Sequence, residues 1–289
     1  MPELPEVETV KRGLNRLIIG KKIKAVSSDN PKSFPNSPID VNLFLVNSIV
    51  DGVRRRAKVL LIDLSTGYTL VIHLKMTGQM VFVDNTNRFG AGHPNDSLIG
   101  LLPDKSTRVV IKFFDGSNLF FNDQRKFGWV RLLPTLEVPN IDFMKRVGPE
   151  PLESTFSAKD FIARFRTRSR STIKAALLDQ KVIAGVGNIY ADESLWGAKI
   201  HPSRLVGDIS DNELKKLYKE VRFVMNLSIE KGGSTNRNYV NAEGKKGSYM
   251  DFARVFRREG LSCSICGSDI IKLRVAGRGT HICPNCQKI

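Results

Sequence analysis

Cysteine, histidine and tryptophan are scarce, with four, four and two residues respectively in a chain of 289. Long apolar runs are missing as well: nothing approaches the ~20 consecutive apolar residues of a membrane span. The start, MPELPEVETV, lacks the basic-then-apolar order of a signal peptide. These absences argue against a membrane protein and predict a cytoplasmic one. A disulfide scaffold is excluded too, because such scaffolds distribute their cysteines and all four here lie in the last 27 residues. Acidic residues are in deficit, 29 Asp and Glu against 45 Lys and Arg, which leaves a net charge of +16. A surplus of that size attracts polyanions, so nucleic acid or an anionic membrane surface is the leading class of partner and small neutral substrates are demoted. With 41% hydrophobic and 26% charged residues the chain has the makings of a globular core and is no disordered basic tail. Internal repeats and low-complexity tracts are absent.

At ~150 residues per domain the length predicts about two domains. Val7, Val10, Leu14, Leu17 and Ile18 recur at helical spacing behind the acidic Glu3, Glu6 and Glu8, and Gly20 marks a stop. From Lys58 onward the pattern changes to short β runs. Residues 59–64 and 68–74 flank a Ser-Thr-Gly turn, and residues 109–114 and 119–121 flank Asp115 and Gly116, both hairpin signatures. A leading helix followed by hairpins suggests a two-layered β-sandwich to about residue 133. Residues 84–104, rich in Asn, Gly, Pro and Asp, read as a long exposed loop. Four prolines make residues 134–153 read as a linker. Helices follow. Ser157 with Asp160 starts one, and Ser210 with Glu213 forms a capping box for another, which Gly232 and Gly233 end.

The strongest physical signal is CSIC, 16 residues, then CPNC. Cys263, Cys266, Cys283 and Cys286 offer four thiolates in two knuckles a hairpin apart, the donor set of a closed, structural zinc site. Four unliganded thiols would instead leave a unit of about 40 residues with almost no core. Arg274 and Arg278 fall at the expected hairpin tip, where a phosphate contact competes with a merely solvated turn. In GVGN, Gly185 and Gly187 form a turn and Asn188 is placed to cap the next helix, whose N-terminus would attract an anion. Lys174 lies one short helix upstream. Taken alone, that turn does not separate an anion site from an ordinary capped helix. The basic run 54–58 would usually be a solvated face, and Met76 and Met80 would usually be core. Pro2 has one specific use: once Met1 is removed, its secondary amine, with a reference pKa of roughly 7.7 to 8.0, is partly unprotonated and can form a cationic imine.

PELPEVETV, HLKMTG (73–78), DQRKFG (123–128), LLDQKVIAGVGNIYADE (177–193), GGSTNRNYVNAEGKKG (232–247) and the cysteine ribbon occur in order over nearly the whole chain. Together they resemble the bacterial formamidopyrimidine-DNA glycosylases. The resemblance implies an α+β, multidomain protein. Its parts would be an N-terminal catalytic β-sandwich with a leading helix (1–133), a linker (134–153), a helix-two-turns-helix domain with a lesion-capping loop (154–243) and a zinc finger (244–289). It implies a monomeric, bifunctional repair enzyme of the bacterial cytoplasm, nucleoid-associated when bound. Such an enzyme removes oxidised purines, chiefly 8-oxoguanine and formamidopyrimidines, from double-stranded DNA and cuts the abasic site by β,δ-elimination. By matching position, Pro2 would be the nucleophile at the sugar C1′, Glu3 the proton donor and acceptor, Glu6 its support, and Lys58 a contact to the phosphate beside the lesion. Lys174, Asn188 and Arg278 would grip the kinked backbone. Met76, Arg125 and Phe127 would fill the gap left by the flipped base, with His73 also at the DNA, and one structural zinc would hold the finger.

Lys75, Asn236 and Arg257 depart from the family pattern, and residues 84–104 look enlarged. Asn236 bears most on lesion preference, because its segment resembles the loop that closes over 8-oxoguanine. Two other readings compete. The endonuclease VIII branch prefers oxidised pyrimidines, but the PELPE start and the long 232–247 loop argue against it. A non-catalytic zinc-ribbon DNA binder would explain charge and cysteines without using Pro2, Glu3 and Lys58.

Overall fold

The computed structural model describes residues 1–234 and 249–289, which divide into two compact units. The first spans residues 1–145 and takes in residues 231–234; the second comprises residues 146–230 and 249–289. Among the described residues no helix is long and apolar enough to cross a membrane.

The first unit opens with helix α1 (Leu4–Ile18), whose Val7, Val10, Leu14 and Ile18 are fully buried. Then follow β1 (Ile23–Ser28), the short α2 (Pro38–Asp40), β2 (Val50–Arg56), β3 (Val59–Leu64), β4 (Tyr68–His73), β5 (Gly78–Val83), β6 (Arg88–Gly92), β7 (Thr107–Phe113), β8 (Asn118–Asp123), β9 (Trp129–Pro134) and α3 (Asp142–Arg146). The strands form two antiparallel sheets, ordered β1-β7-β8-β5-β6 and β2-β3-β4-β9. One core joins them: Leu60, Ile62, Leu70, Ile72, Val130 and Leu132 of the smaller sheet cluster with Phe82, Phe89, Ile111, Phe113 and Phe121 of the larger and with α1. This is the expected sandwich. Asn15 ties α1 to edge strand β2, donating to the Val53 carbonyl at 2.7 Å and accepting the Val53 N–H at 3.2 Å, which occupies backbone groups that an edge leaves free.

Two stretches differ from expectation. Residues 84–104 are no simple loop: they supply β6 and a 3₁₀ turn, Asp96–Leu98. The Arg88 guanidinium closes that segment on the carbonyls of Leu98 (2.8 Å) and Gly100 (2.6 Å), and Phe89 and Leu98 are buried. RFGAG carries too few large side chains to read as a strand; the missing side chain on Gly13 of α1 makes room for the Phe89 ring, which a Cβ there would overlap. The proline-rich stretch also folds. A 3₁₀ helix (Thr135–Asn140) and α3 place Val138, Ile141, Phe143 and Met144 on Val59, Leu61 and Val71. With both faces covered, β3 can be apolar throughout its VLLI run.

The second unit contains α4 (Ala158–Arg166), α5 (Ile173–Leu178), α6 (Asn188–Gly197), α7 (Asp211–Glu230) and the hairpin β10 (Ile271–Val275) and β11 (Arg278–Ile282). Both capping boxes form: Ser157 with Asp160, and Ser210 with Glu213. Phe161 stacks on Phe165 and meets Tyr218 of α7 edge-on, which joins α4 to α7.

Candidate active site and nucleic-acid interface

In the first unit the chemistry-bearing groups gather at the start of α1. Pro2 and Glu3 are buried, whereas Met1 is 44% exposed. The Glu6 carboxylate bridges two segments: one oxygen accepts the Glu3 N–H at 2.7 Å, the other the Ser234 N–H at 2.9 Å. Glu6 therefore fixes the backbone that carries Glu3 and the chain just beyond Gly233. Lys58 lies in the two-residue turn between β2 and β3, where Arg56 pairs with Val59, and it is buried. Its turn partner Ala57 has φ of 53°, a left-handed conformation that costs an L residue roughly 1–2 kcal/mol.

His73 ends β4 opposite Val59, the residue after Lys58. Burial, with lesser contributions from the Lys75 and Lys58 charges, pushes its imidazole down to about 3. It is thus neutral at physiological pH. Its Nδ1 accepts the Lys75 N–H at 3.0 Å, so the ring proton sits on Nε2 as a donor. Met76 and Phe127 are 37% and 55% exposed, and the Arg125 guanidinium lies over the Phe127 ring at 4.8 Å. An exposed apolar pair with an arginine beside it suits insertion into a base stack.

In the second unit two expectations change. Asn188 is the first residue of α6 and not its cap; Gly187 takes that place without a side-chain bond. The Asn188 amide donates instead to the Gly279 carbonyl at 3.0 Å, next to the exposed Arg278. Lys174, expected on the DNA backbone, is 0% exposed. Its ammonium donates to Asp192 (2.6 Å), to the Thr280 hydroxyl (2.6 Å) and to the Gly279 carbonyl (3.3 Å). A charge this deeply buried needs a counter-charge, and Asp192, itself fully buried, supplies it while accepting the His281 N–H at 2.9 Å. Lys174 and Asp192 thus pin α5 and α6 to β11.

The neighbouring Glu193 was also missed by sequence reasoning. Its buried carboxylate accepts the N–H groups of Arg254, Val255 and Phe256 at 2.8–2.9 Å and the Tyr249 hydroxyl at 3.1 Å. One signal was available: α6 is buried on nearly every side, so two adjacent acids within it had to find partners. Removing one member of the Lys174 and Asp192 pair should cost about 3–5 kcal/mol by stranding the other. Lys174→Met should therefore lower stability in urea unfolding more than the double change with Asp192→Leu does.

The four cysteines are free thiols whose sulfurs all lie within 4.8 Å of one another. Cys263 and Cys286 are 3.9 Å apart, Cys266 and Cys283 3.4 Å, close to the roughly 3.8 Å edge of a tetrahedron with Zn–S bonds of about 2.3 Å. Hydrogen bonds from Ser268 and Asn285 hold the Cys266 thiol well below the usual thiol range, while burial pushes those of Cys283 and Cys286 up. This donor set fits one structural zinc ion, which would supply folding energy and no open coordination position.

Fold and site define the class: a β-sandwich with Pro2 and Glu3 buried at its N-terminus, carried with a helical unit and a four-cysteine finger in one chain. Residues 1–130 match the formamidopyrimidine-DNA glycosylase N-terminal domain, residues 147–240 the formamidopyrimidine-DNA glycosylase H2TH domain, and residues 260–289 the zinc finger found in FPG and IleRS. The chain belongs to the formamidopyrimidine-DNA glycosylase family. It is 40% identical over 289 residues to the formamidopyrimidine-DNA glycosylase of Listeria monocytogenes serotype 4b, with both chains covered in full. Its fold matches a Lactococcus lactis FPG mutant in complex with a Fapy-dG containing DNA, at a TM-score of 0.87, 34% identity and full coverage of both chains. It also matches the Lactococcus lactis Fpg bound to an abasic site containing DNA, at a TM-score of 0.86 and 33% identity, over 99% of this chain and 100% of that one.

Proposed function

We propose that the protein is a bifunctional DNA glycosylase and abasic-site lyase of base excision repair. It acts as a monomer on double-stranded DNA carrying 8-oxoguanine, formamidopyrimidines or abasic sites, and it works in the bacterial cytoplasm, on the nucleoid. The observation that carries this reading is the arrangement at the N-terminus, where Glu6 holds the Glu3 backbone directly beside Pro2. After Met1 is removed, the Pro2 nitrogen attacks C1′ and the bond to the damaged base breaks. Glu3 delivers a proton to the opening sugar oxygen, leaving a cationic imine. That positive charge acidifies the neighbouring sugar proton, whose loss expels one phosphate; loss of a second sugar proton, acidified through the now conjugated imine, expels the other. Lys58 binds the phosphate beside the lesion, and His73, as a neutral donor, lies at the DNA.

Asn188 and Arg278 grip the backbone on either side of the Gly279 carbonyl. Met76, Arg125 and Phe127 fill the gap left by the flipped base and offset the few kcal/mol that unstacking costs. In functional terms residues 1–133 carry the chemistry, 154–243 the helix-two-turns-helix and the cap, and 244–289 the finger. Asn236 and the capping loop from residue 235 on lie outside the described residues, and the cap over 8-oxoguanine rests on the sequence resemblance.

Borohydride trapping tests the reading. A duplex with 8-oxoguanine should be cut and covalently trapped in preference to one with thymine glycol. Preference for thymine glycol would transfer the chain to the endonuclease VIII branch, and duplex binding without any trapping would make it a binding module.

A further inference from the structure

The proposed wedge stands on two loops of the first unit. Residues 74–77, between β4 and β5, carry Met76; residues 124–128, between β8 and β9, carry Arg125 and Phe127. Each loop holds one residue with a side chain in the left-handed region immediately before its wedge residue: Lys75 at φ 50° before Met76, and Lys126 at φ 58° before Phe127. Such conformations persist only where surrounding contacts over-determine them. The two loops must therefore be held by something, and held together, since neither forms regular structure between its strands.

One carboxylate does this. Asp123, 0% exposed, is the last residue of β8 and pairs across the sheet with Gly78, the first residue of β5. One of its oxygens accepts the Thr77 hydroxyl from the first loop and the Arg125 N–H, at 3.2 Å, from the second. The other accepts the Gly128 N–H at 2.6 Å. The Thr77 oxygen in turn accepts the Arg125 N–H at 3.1 Å, so a hydroxyl of one loop is bonded directly to the backbone of the other. Gly128 is closed in from the far side: a Cβ there would lie 2.7 Å from the Phe121 ring, 3.0 Å from the His73 carbonyl and 3.1 Å from the Asp123 carboxylate. A side chain would push the second loop off its clasp.

We propose that Asp123, through Thr77, is the positioning residue of the wedge: its carboxylate locks the Met76 loop and the Arg125–Phe127 loop into one rigid element. The inference rests on the assignment of Met76, Arg125 and Phe127 as the wedge. Asp123 touches no DNA in this account and takes no part in the chemistry at C1′. A carboxylate serves here because both of its oxygens accept, one from the Thr77 hydroxyl and Arg125 N–H, the other from the Gly128 N–H. An amide of the same size presents an N–H₂ to one of those donors and so loosens one loop.

The experiment compares single-turnover excision of 8-oxoguanine from duplex with strand cutting at a preformed abasic site. Because misplacement by about 1 Å can cost up to about 100-fold, Asp123→Asn is expected to slow excision about 10-fold or more while cutting at the abasic site changes less than about twofold. A 2-aminopurine opposite the lesion should report delayed insertion of the wedge. In the Met76→Ala/Arg125→Ala/Phe127→Ala background, Asp123→Asn should add less than a further twofold, since no wedge side chain remains to be positioned. Thr77→Val should reproduce the selective loss and Thr77→Ser should restore excision, which keeps the test decisive if Asp123→Asn folds poorly. Equal losses on both substrates, or a full additional loss without the wedge, would overturn the role of Asp123. If Met76→Ala/Arg125→Ala/Phe127→Ala itself slows both reactions equally, the wedge assignment fails and the proposal falls with it.

Discussion

A preparation that retains Met1 should bind an 8-oxoguanine duplex yet neither trap it with borohydride nor cut it. In such a chain the α-amine belongs to methionine and the Pro2 nitrogen is an amide, whose lone pair is delocalised into the carbonyl and cannot attack C1′. Met1 is 44% exposed, so a peptidase can reach it, while Pro2 is buried at the foot of α1, where removal of Met1 would uncover an already positioned amine. Glu3→Gln separates the second role. General acid–base assistance contributes typically 10²–10⁴-fold, so base excision should fall by about that factor while preformed abasic sites are still cut to some extent. Mass spectrometry of the reduced complex should place the adduct on the N-terminal peptide, and an adduct on Lys58 would overturn Pro2 as nucleophile.

Stripping the finger of zinc, by chelation or by Cys283→Ser, should abolish duplex binding. The finger's apolar cluster consists of Val255, Ile270, Cys263 and Cys283 with Trp196 of α6, so two of its five buried members are zinc ligands. Apparent zinc-binding energies of about 10–16 kcal/mol in small fingers amount to their folding energy. Without the metal the β10–β11 hairpin loses its base. Arg278, Gly279 and Thr280 then leave their places beside Asn188 and Lys174. Gel-shift titration of the chelated protein checks this, and normal affinity for lesion duplex in a metal-free preparation would refute it.

Much of this architecture is readable in the chain. The α1 stripe, the hairpins of β3–β4 and β7–β8, both capping boxes and the cysteine knuckles follow short-range rules, so a few adjacent residues suffice to announce them. Strand β6 escaped because Gly90, Ala91 and Gly92 have no β preference of their own; they are there for what packs on them. The burial of Lys174 is hidden for a related reason. A lysine in a basic chain reads as a surface charge, and only the fold brings Asp192 to it from 18 residues away. Asp123 could be quoted as part of a motif, but its work depends on two loops that meet only across the β5–β8 pairing.

The close approach of α1 to β6 also couples two distant positions of the chain. Glycine at position 13 and phenylalanine at position 89 are one knob and its hole, divided between a helix and a strand 76 positions apart in sequence. Neither can drift alone: a methyl group added at the first displaces the ring, and a smaller side chain at the second opens a cavity under the helix that begins two residues after Pro2. A change at position 89 therefore calls for a compensating change at position 13, and a matched double variant should recover stability that either single change loses.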